Sequence, residues 1–344
     1  MAEVLPPANA PVLVTGASGF IGRHLLLALQ RQGRRVKALV RRDDGLAAAF
    51  PGLEVIRADV GDLAAYRSRL EPGMTVIHLA AVRAIPGTRR ANFHRVNVDA
   101  ALAFAETAGQ AGVKRFLHVS AALVYGCTGV ASADETASPS EPPFFSGYLE
   151  SRLEALRRMR DLAARGLPIV TLCPTIVFGP DTPDHPNRLA GQMRWLLRHR
   201  IDRVIGGGAQ RRTLAFVGDV VRGMLLAETR AMPGAEYILG GHDVSPREFN
   251  RRVLAAAGVT PRLSLSLPAG AVRVTARWVD RCRGSERGCG YEAALDMYTH
   301  AWCYSSGKAA SELGYSVTPI DEALAETVRV LVPPSTRGAE ATTD

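Results

Sequence analysis

Two side chains four residues apart give this 344-residue chain a candidate site for proton transfer. Tyr148 and Arg152 stand in the stretch GYLESRLEAL, whose pattern predicts the first turns of a helix. Residues i and i+4 share one face of a helix, so the phenol and the guanidinium are predicted neighbours. A phenol can donate or accept a proton, and a nearby cation favours its ionised form. The pair therefore indicates an acid–base site in which arginine supplies the positive charge.

A second chemical signal lies near the start of the chain, in the stretch VLVTGASGFIGRHLL. Gly16, Gly19 and Gly22 fall between a predicted strand and a predicted helix. Glycines in this context allow a tight turn and bring the backbone close to a pyrophosphate at the helix N-terminus. The stretch therefore predicts a bound dinucleotide cofactor.

The end of the second predicted strand indicates which dinucleotide is preferred. A site that reads the ribose 2′-hydroxyl of NAD usually has an acidic residue there, whereas this chain has Arg41 and Arg42. A guanidinium can bind a 2′-phosphate through two parallel hydrogen bonds. We therefore expect NADP(H) to be preferred, with NAD(H) as the alternative. Asp59 and Val60 follow the third strand and are predicted to meet the adenine ring.

The elements that position these residues alternate along the first half of the chain. Apolar strand-like runs alternate with helical patterns, and the runs are APVLVTGAS, RVKALVRR, EVIRADV, TVIHLAAV, RFLHVSAALVYG and PIVTLCPTIVFG. Buried strands separated by helices predict a parallel sheet that is covered on both faces. We therefore predict an α/β fold, a Rossmann-type doubly wound parallel sheet with a smaller, mostly helical substrate lobe.

The alternation ends after residue 174, where loops rich in proline, aspartate and glycine begin. An NAD(P)-binding Rossmann core is predicted at 10–173, and the segment 211–240 is predicted to return to it. A substrate-binding lobe is predicted at 174–210 and 241–332. Loose tails are predicted at 1–9 and 333–344. Long polar ends without apolar periodicity are typical of such tails.

The composition argues against several other classes of protein. The apolar fraction is 47%, the charged fraction is 22%, and no apolar run approaches the roughly 20 residues of a membrane span. The opening residues lack a secretory pattern, and five scattered cysteines predict no disulfide framework, so a cytoplasmic location is expected. The net charge of +9 comes from dispersed arginines without a nucleic-acid motif. We expect a small-molecule substrate, no nucleic acid, no membrane and no metal, and leave a homodimer open.

The motifs together resemble the extended short-chain dehydrogenase/reductases, the NAD(P)-dependent epimerase/dehydratase group. The resemblance covers nearly the whole chain, through TGASGFIG, ADV, HLAA, VNVDA, VSAALVYG, YLESR, PTIVFGP and VGDVVRGMLLA. The stretch CYSSGKAASELGY near the end is most similar to the dihydroflavonol reductase and 3β-hydroxysteroid dehydrogenase branch.

The resemblance implies a catalytic set. In this family a tyrosine transfers the proton, a lysine four residues later holds the ribose, a Ser or Thr holds the substrate oxygen, and an Asn joins a proton relay. Tyr148 and Asn97 match two of these residues, whereas Arg152 stands where lysine is expected. Ala121 occupies a position that is Ser or Thr in many members, so Ser120, one residue earlier, is the candidate anchor.

The predicted contacts with cofactor and substrate combine these motifs. The cofactor set is Thr15, Gly16, Ser18, Gly19, Phe20, Ile21, Gly22, Arg41, Arg42, Asp59, Val60, Leu79, Ala80, Ala81, Tyr148, Arg152 and Pro174. The substrate set is Ala121 and Arg212, and Arg212 matches the phosphate-binding arginine of nucleotide-sugar members in the stretch GGGAQRRTLAF.

Three functional hypotheses follow. The first is an NADP(H)-dependent oxidoreductase that reduces a ketone, or oxidises a secondary alcohol, on a small and fairly apolar metabolite. The second is a nucleotide-sugar epimerase, dehydratase or 4-ketoreductase, favoured by Gln210 and Arg212, although Ile176 stands where such members commonly have Asn. The third is an NAD(P)-binding protein with non-redox or no catalysis, because Ala121 and Arg152 depart from the standard set.

Overall fold

A computed structural model of the chain describes residues 10–43, 45–129, 131–137, 146–181 and 187–331. The tails predicted at 1–9 and 333–344 lie outside these ranges. The strands are β1 (Val12–Thr15), β2 (Val36–Val40), β3 (Glu54–Arg57), β4 (Thr75–His78), β5 (Arg115–Val119), β6 (Ile169–Pro174), β7 (Ile176–Phe178), β8 (Ile201–Ile205), β9 (Arg212–Phe216), β10 (Glu236–Leu239), β11 (His242–Val244) and β12 (Leu263–Leu267).

Helices connect and flank these strands. The α-helices are α1 (Phe20–Arg31), α2 (Leu46–Ala49), α3 (Leu63–Tyr66), α4 (Arg90–His94), α5 (Ala101–Gln110), α6 (Gly147–Ala164), α7 (Arg188–His199), α8 (Val217–Arg230), α9 (Pro246–Ala256), α10 (Ala269–Cys282), α11 (Tyr291–Thr299) and α12 (Ile320–Leu331). Shorter 3₁₀ turns occupy Arg67–Arg69, Ala122–Tyr125 and Gly206–Gly208, and π-helical segments occupy Arg95–Ala100 and Ala309–Leu313.

The central sheet has seven strands in the order β10-β6-β5-β4-β1-β2-β3, and every pair is parallel. The strand order reverses between β1 and β4, which creates a crevice at the carboxyl ends of the strands. This arrangement confirms the predicted Rossmann-type doubly wound sheet.

Helices cover both faces of the sheet because its strands are apolar on both sides. In β1, Val12 and Val14 face one core with residues of α1 and α8, whereas Leu13 faces the other core with residues of α5 and α6. Successive side chains of a strand point to opposite faces, so a four-residue apolar strand supplies both cores. Together the two layers hold the carboxyl edge of the sheet in a fixed position.

The second lobe surrounds a core of its own. A three-stranded sheet in the order β11-β9-β7 packs with α7, α9 and α12 around Phe178 and Phe249. A two-stranded parallel sheet of β12 and β8 lies beside the paired helices α10 and α11. The lobe therefore contains two small sheets in addition to its helices, which the apolar periodicity did not indicate.

Two predicted segments divide between the lobes. The run PIVTLCPTIVFG forms β6 in the central sheet and β7 in the three-stranded sheet, with Thr175 as the break. The range 211–240 divides in the same way, because β9 joins the small sheet whereas α8 and β10 return to the core. Pro174 has no N–H group to continue the ladder, which explains the first break.

Two further properties concern the described ranges as a whole. No helix in them is long and apolar enough to cross a lipid bilayer. Nor do three or more histidine, cysteine, aspartate or glutamate side chains in these ranges cluster as a metal site requires.

Candidate functional site

The glycine-rich turn joins β1 to α1 and admits no larger side chain at two positions. Gly16 has φ of +66°, and a Cβ atom there would lie 2.8 Å from the backbone nitrogen of Ala80. A Cβ atom on Gly22 would lie 2.4 Å from the carbonyl oxygen of Gly16. Helix α1 then begins after Gly19. Because glycine has no side chain, the first N–H groups of the helix have no side-chain acceptor at the cap. The turn is therefore a cradle of backbone donors that fits an anion such as a pyrophosphate.

A buried hydrogen-bond network fixes the end of β4 against this turn. The hydroxyl of Thr15 lies 2.9 Å from Nδ1 of His78 and accepts the N–H of Ala80 at 3.1 Å. Burial lowers the pKa of His78 to about 3, and the positive charge of Arg152 acts in the same direction. His78 is therefore neutral, and the stretch HLAA is held beside the glycine turn. Leu79, Ala80 and Ala81 are partly exposed along this edge.

The predicted adenosine end lies at the carboxyl ends of β2 and β3. Arg41 and Arg42 follow β2 directly and are both exposed. Asp59 follows β3, where its Oδ1 accepts the N–H of Gly61 at 2.9 Å. Val60 is buried beside it. Because the strands are parallel and adjacent, these residues lie along the same edge as the glycine turn.

The remaining members of the predicted cofactor set occupy the same edge. Ser18, Phe20 and Ile21 are partly exposed around the start of α1. Pro174 ends β6 on the other side of the strand-order reversal. The sheet topology thus places the strand-end residues of the predicted set along one edge, and the open N–H groups, tight glycines and exposed arginines there fit a dinucleotide.

The predicted acid–base pair occupies the first turns of α6. Ser146 caps this helix by accepting the N–H of Leu149 at 3.4 Å. Cζ of Arg152 lies 5.5 Å from the centroid of the Tyr148 ring, so the two side chains are neighbours. Arg152 is only 7% exposed, and its Nη1 donates to the carbonyl oxygen of Val119 at 3.3 Å. A cation is therefore held almost fully out of water beside the phenol.

Asn97 ties the loop after β4 to this helix. Its Oδ1 accepts the N–H of Val82 at 2.8 Å, and its Nδ2 donates to the carbonyl oxygen of Val82 and to Oγ of Ser151. Ser151 in turn donates to the carbonyl oxygen of Tyr148 at 2.7 Å. Asn97 lies in the π-helical segment, a distortion that often marks a functional position. Its position fixes the helix turn that carries Tyr148.

Ser120 lies at the carboxyl end of β5 and is buried. Its N–H donates to the carbonyl oxygen of Leu172 at 2.7 Å, whereas its Oγ has no hydrogen-bond partner among the described residues. Ala121 follows in an extended conformation and offers only a methyl group. A buried hydroxyl without an intramolecular partner is costly unless a ligand satisfies it. Ser120 is thus available to hold a ligand oxygen.

Thr175 is a candidate site residue that the sequence reasoning missed. Its Oγ1 is buried and has no partner among the residues described, and it follows β6, which pairs with β5. The signal that could have identified it is a hydroxyl directly after Pro174, where a parallel strand ends. Two hydroxyl groups therefore lie at the ends of neighbouring strands.

An apolar cleft extends from Tyr148 into the second lobe. Its inner part is lined by Tyr148, Phe93, Leu149, Cys289, Ala293 and Trp302. Its outer part has a volume of about 1120 Å³ and is lined by side chains of β12, α7, α10 and α11. Ile85, Pro86, Arg188 and Ala294 line both parts, so the two adjoin, and the inner part has a volume of about 30 Å³. The outer part is wide enough for an apolar molecule, and the narrow inner part lies between it and Tyr148.

Arg212, the other predicted substrate residue, does not line this cleft in the described part of the chain. It is buried, and its Cζ lies 5.1 Å from the ring centroid of Tyr298, which Arg188 contacts at the same distance. Burial lowers the pKa of Arg212, and the nearby charge of Arg188 adds to this effect. Arg211 points elsewhere, toward the carbonyl oxygen of Asp243. Gln210 is exposed.

Comparison with known proteins yields several relatives. A ketoreductase of Stigmatella aurantiaca that acts on 4-hydroxy-2-methyl-3-oxo-4-farnesyl-3,4-dihydroquinoline-1-oxide is 30% identical, over 76% of this chain and 78% of its own length. A 3β-hydroxysteroid dehydrogenase/Δ5→4-isomerase of Mycobacterium tuberculosis is 28% identical, over 78% of this chain and 74% of its own. The structure of MoeE5 with UDP-glucuronic acid and NAD is 28% identical with a TM-score of 0.73, covering 93% of this chain and 98% of that one.

The glycine turn, the doubly wound sheet and the tyrosine of α6 agree with a family-level match. A model of the NAD-dependent epimerase/dehydratase family covers residues 12–240, which is most of the Rossmann core and its returning segment. The chain belongs to the NAD-dependent epimerase/dehydratase family and is an oxidoreductase of the extended short-chain dehydrogenase/reductase type.

Proposed function

We propose that this enzyme interconverts a ketone and a secondary alcohol on an apolar metabolite, with NADP(H) as its cofactor. The observation that carries the proposal is the apolar cavity of about 1120 Å³ that adjoins the small pocket beside Tyr148. A cavity of this size and lining suits a ligand with a large hydrophobic body and a single polar reacting group.

The exposed arginines after β2 support the choice of cofactor. Arg41 and Arg42 stand where an acidic residue would bind the ribose of NAD, and both guanidinium groups are exposed at the edge of the crevice. A 2′-phosphate there would meet a planar cation that donates two parallel hydrogen bonds. The bound dinucleotide would supply or accept the hydride in the reaction.

The residues of the chain provide the proton and the orientation. Tyr148 would give its phenolic proton to the carbonyl oxygen as that oxygen gains negative charge. Arg152 would stabilise the resulting tyrosinate, and those of its donors that do not bind the carbonyl oxygen of Val119 would hold the ribose hydroxyls. Oγ of Ser120 would donate a hydrogen bond to the same carbonyl oxygen and so stabilise its developing charge.

Asn97 would act through α6 and not on the substrate. Its bonds to Val82 and Ser151 fix the backbone of the turn that presents Tyr148. A shift of the phenol by about 1 Å can cost a hundredfold in rate, so this link is a positioning device.

The names of two relatives support an apolar substrate. The Stigmatella ketoreductase acts on a farnesylated quinoline oxide, and the mycobacterial relative is a steroid dehydrogenase. Both descriptions combine a ketone or hydroxyl group with a large hydrocarbon body. The width of the cleft beyond Tyr148 agrees with a substrate of that kind.

A nucleotide-sugar substrate is the second candidate, because MoeE5 binds UDP-sugars and Arg212 matches a phosphate-binding position. The geometry favours it less. Arg212 is buried against Tyr298, and the lining of the cleft is mostly apolar, with Arg83 and Arg188 as its cationic side chains. The third hypothesis, binding without redox chemistry, is also less favoured, since Arg152 keeps a cation beside the phenol.

The test is NADPH consumption, measured at 340 nm with purified protein and a panel of carbonyl compounds. Steroid-like, prenylated and polyketide-like ketones are expected to be reduced, and short polar ketones are expected to react at least tenfold more slowly. UDP- and dTDP-sugars serve as the comparison in a thermal-shift assay. Strong stabilisation by a nucleoside diphosphate sugar, together with no reduction of any apolar ketone, would overturn the proposal.

A further inference from the structure

The outer edge of the second lobe exposes an apolar surface, here named the α10–β12 surface. Its residues are Leu263, Leu265, Leu267, Val274 and Trp278, and all of them are exposed. Trp278 is 65% exposed and Val274 is 68% exposed. Leu267 of β12 and residues of α10 line the same outer cavity, so the two elements lie side by side there. Exposed apolar side chains on neighbouring elements often mark an interaction site.

The two elements present these side chains in an ordered way. Val274 and Trp278 are four residues apart on α10 and share a face of that helix. The three leucines alternate along β12 and therefore lie on one face of that strand. Among the 14 residues of α10, Ala276 alone is buried, although the helix is amphipathic. Although α10 packs against α11, its apolar side chains Ala271, Val274 and Trp278 remain exposed.

This surface is continuous with the mouth of the cleft. Val272, Ala276 and Val279 of α10 line the outer cavity, and they neighbour the exposed strip on the same helix. Leu267 belongs to both, since it lines the cavity and is exposed. Ile85 lines both parts of the cleft and is 52% exposed. The α10–β12 surface therefore leads into the outer cavity, which adjoins the small pocket of about 30 Å³ beside Tyr148.

Positive charge borders the surface. Residues 269–287 contain five arginines and two acidic residues. Arg277 keeps an exposed guanidinium although it pairs with Glu292, and Arg281 on the next turn is also exposed. Glu292 and Asp296 of α11 pair with Arg273, and Glu292 also pairs with Arg277. Arg281 has no ion pair among the described residues, so it places positive charge directly beside Trp278.

We infer that the α10–β12 surface docks on an anionic lipid surface, from which an apolar substrate enters the cleft. An amphipathic helix with tryptophan on its apolar face and arginine beside it binds at the level of lipid headgroups. Long arginine side chains can place their charge in the headgroup layer while their methylenes stay near the acyl chains. The inference departs from the expectation, drawn from the sequence alone, of no membrane partner. It also goes beyond the proposed reaction, because it concerns where the protein meets its substrate.

A second copy of the chain fits this surface less well. A twofold symmetric contact would place the same patch of both copies face to face. A contact whose twofold axis passes near Trp278 would bring Arg277 and Arg281 of one copy close to the same residues of the other, and like charges across an interface oppose association. Anionic headgroups instead complement these arginines.

The experiment is co-sedimentation of the full chain with vesicles of phosphatidylcholine alone or mixed equally with phosphatidylglycerol. The wild-type protein is expected to bind the mixed vesicles at low salt and to dissociate as salt is raised. The double variant Val274→Ser/Trp278→Ser should weaken binding about tenfold or more, because two large exposed side chains lose their apolar contact. Arg277→Gln/Arg281→Gln should weaken binding to the mixed vesicles, with little effect on the weak binding to neutral ones.

Met232→Ser is the matched control, since Met232 is 71% exposed on the loop before β10 and does not border the cleft in the described residues. It should bind vesicles as the wild type does. Each variant is first checked for an unchanged melting temperature and unchanged NADPH binding, so that misfolding is not read as lost docking.

Three results would overturn the inference. One is no binding of the wild type to the mixed vesicles at low salt. Another is equal binding by the wild type and the Val274→Ser/Trp278→Ser variant. The third is a lipid-free dimer in sedimentation velocity that the same variant dissociates, which would assign the surface to a second copy. None of these measurements uses turnover, so their failure leaves the proposed reaction intact.

Discussion

Replacing Arg152 with methionine is expected to lower kcat/KM for ketone reduction by about a hundredfold. The guanidinium carbon lies 5.5 Å from the centre of the Tyr148 ring, and the side chain is 7% exposed. A tyrosinate carries its charge mainly on the phenolic oxygen, so the distance to the ring sets the order of magnitude: unit charges about 5–6 Å apart interact by about 3 kcal/mol at an effective dielectric constant near 20. Each 1.36 kcal/mol is a factor of ten in rate, so loss of the cation removes about two orders of magnitude.

Arg152→Lys is the matched control, because it keeps the positive charge and changes only the donor geometry. We expect it to stay within about tenfold of the wild type. Methionine is an unbranched side chain like arginine but cannot donate a hydrogen bond to the carbonyl oxygen of Val119. Loss of that hydrogen bond should lower the free energy of unfolding by about 1 kcal/mol. Thermal denaturation separates that loss of stability from the loss of rate.

The assay is initial-rate kinetics at 340 nm with saturating NADPH, together with NADPH titration by fluorescence for each variant. A methionine variant that keeps more than a third of the wild-type kcat/KM would refute the electrostatic reasoning. So would a lysine variant that falls as far as the methionine variant. In either case the role of Arg152 would be packing or ribose binding alone.

Three further predictions follow from the described geometry. Arg41→Glu should raise the Kd for NADPH by about tenfold or more and leave the Kd for NADH nearly unchanged, because a charged hydrogen bond to the 2′-phosphate is lost. Both Kd values are measured by fluorescence titration, and an equal increase in the two would contradict the NADP preference. Gly16→Ala should lower the melting temperature more than Gly33→Ala. The two glycines have nearly equal φ angles of +66° and +65°, but only a Cβ atom at Gly16 would meet backbone atoms, at 2.8 Å. A similar drop in melting temperature for the two variants would disprove the close approach at Gly16. Burial lowers the pKa of His78 to about 3 and that of His118 well below its usual value. As pH falls, these two histidines therefore take up protons in the unfolded chain before they do so in the folded one. The free energy of unfolding should then fall as pH drops below about 6.5, by about 1.4 kcal/mol per pH unit for each histidine. His118→Phe should reduce that slope in urea titrations, and an unchanged slope would argue against its burial as a neutral ring.

The parts of the site that depend on local pattern could be predicted from the sequence. The glycine turn of Gly16 and Gly22 is set by contacts within a strand, a turn and a helix, which the spacing reveals. The neighbouring positions of Tyr148 and Arg152 follow from helix geometry alone. The seven-stranded sheet follows from apolar runs that alternate with helices, and the structure confirms it.

The parts that depend on contacts distant in sequence could not be predicted. Phe93, Cys289 and Trp302 meet at the cleft from three separate segments, and nothing in their spacing indicates this. Arg212 matched a motif by position, yet its burial against Tyr298 is a tertiary contact. The long apolar run around Pro174 concealed a change of sheet, because both of its halves are apolar strands.

The replacement Tyr148→Phe tests the central claim most directly. The variant keeps the ring that packs against Phe93 and removes only the hydroxyl group. With an apolar ketone that the wild type reduces, kcat should fall about a hundredfold or more, as loss of a positioned proton donor does. The Kd for NADPH in the same protein should stay within about threefold of the wild-type value, because Arg152 and the glycine turn remain. Undiminished turnover by Tyr148→Phe would contradict the account, since the proton would then come from another group.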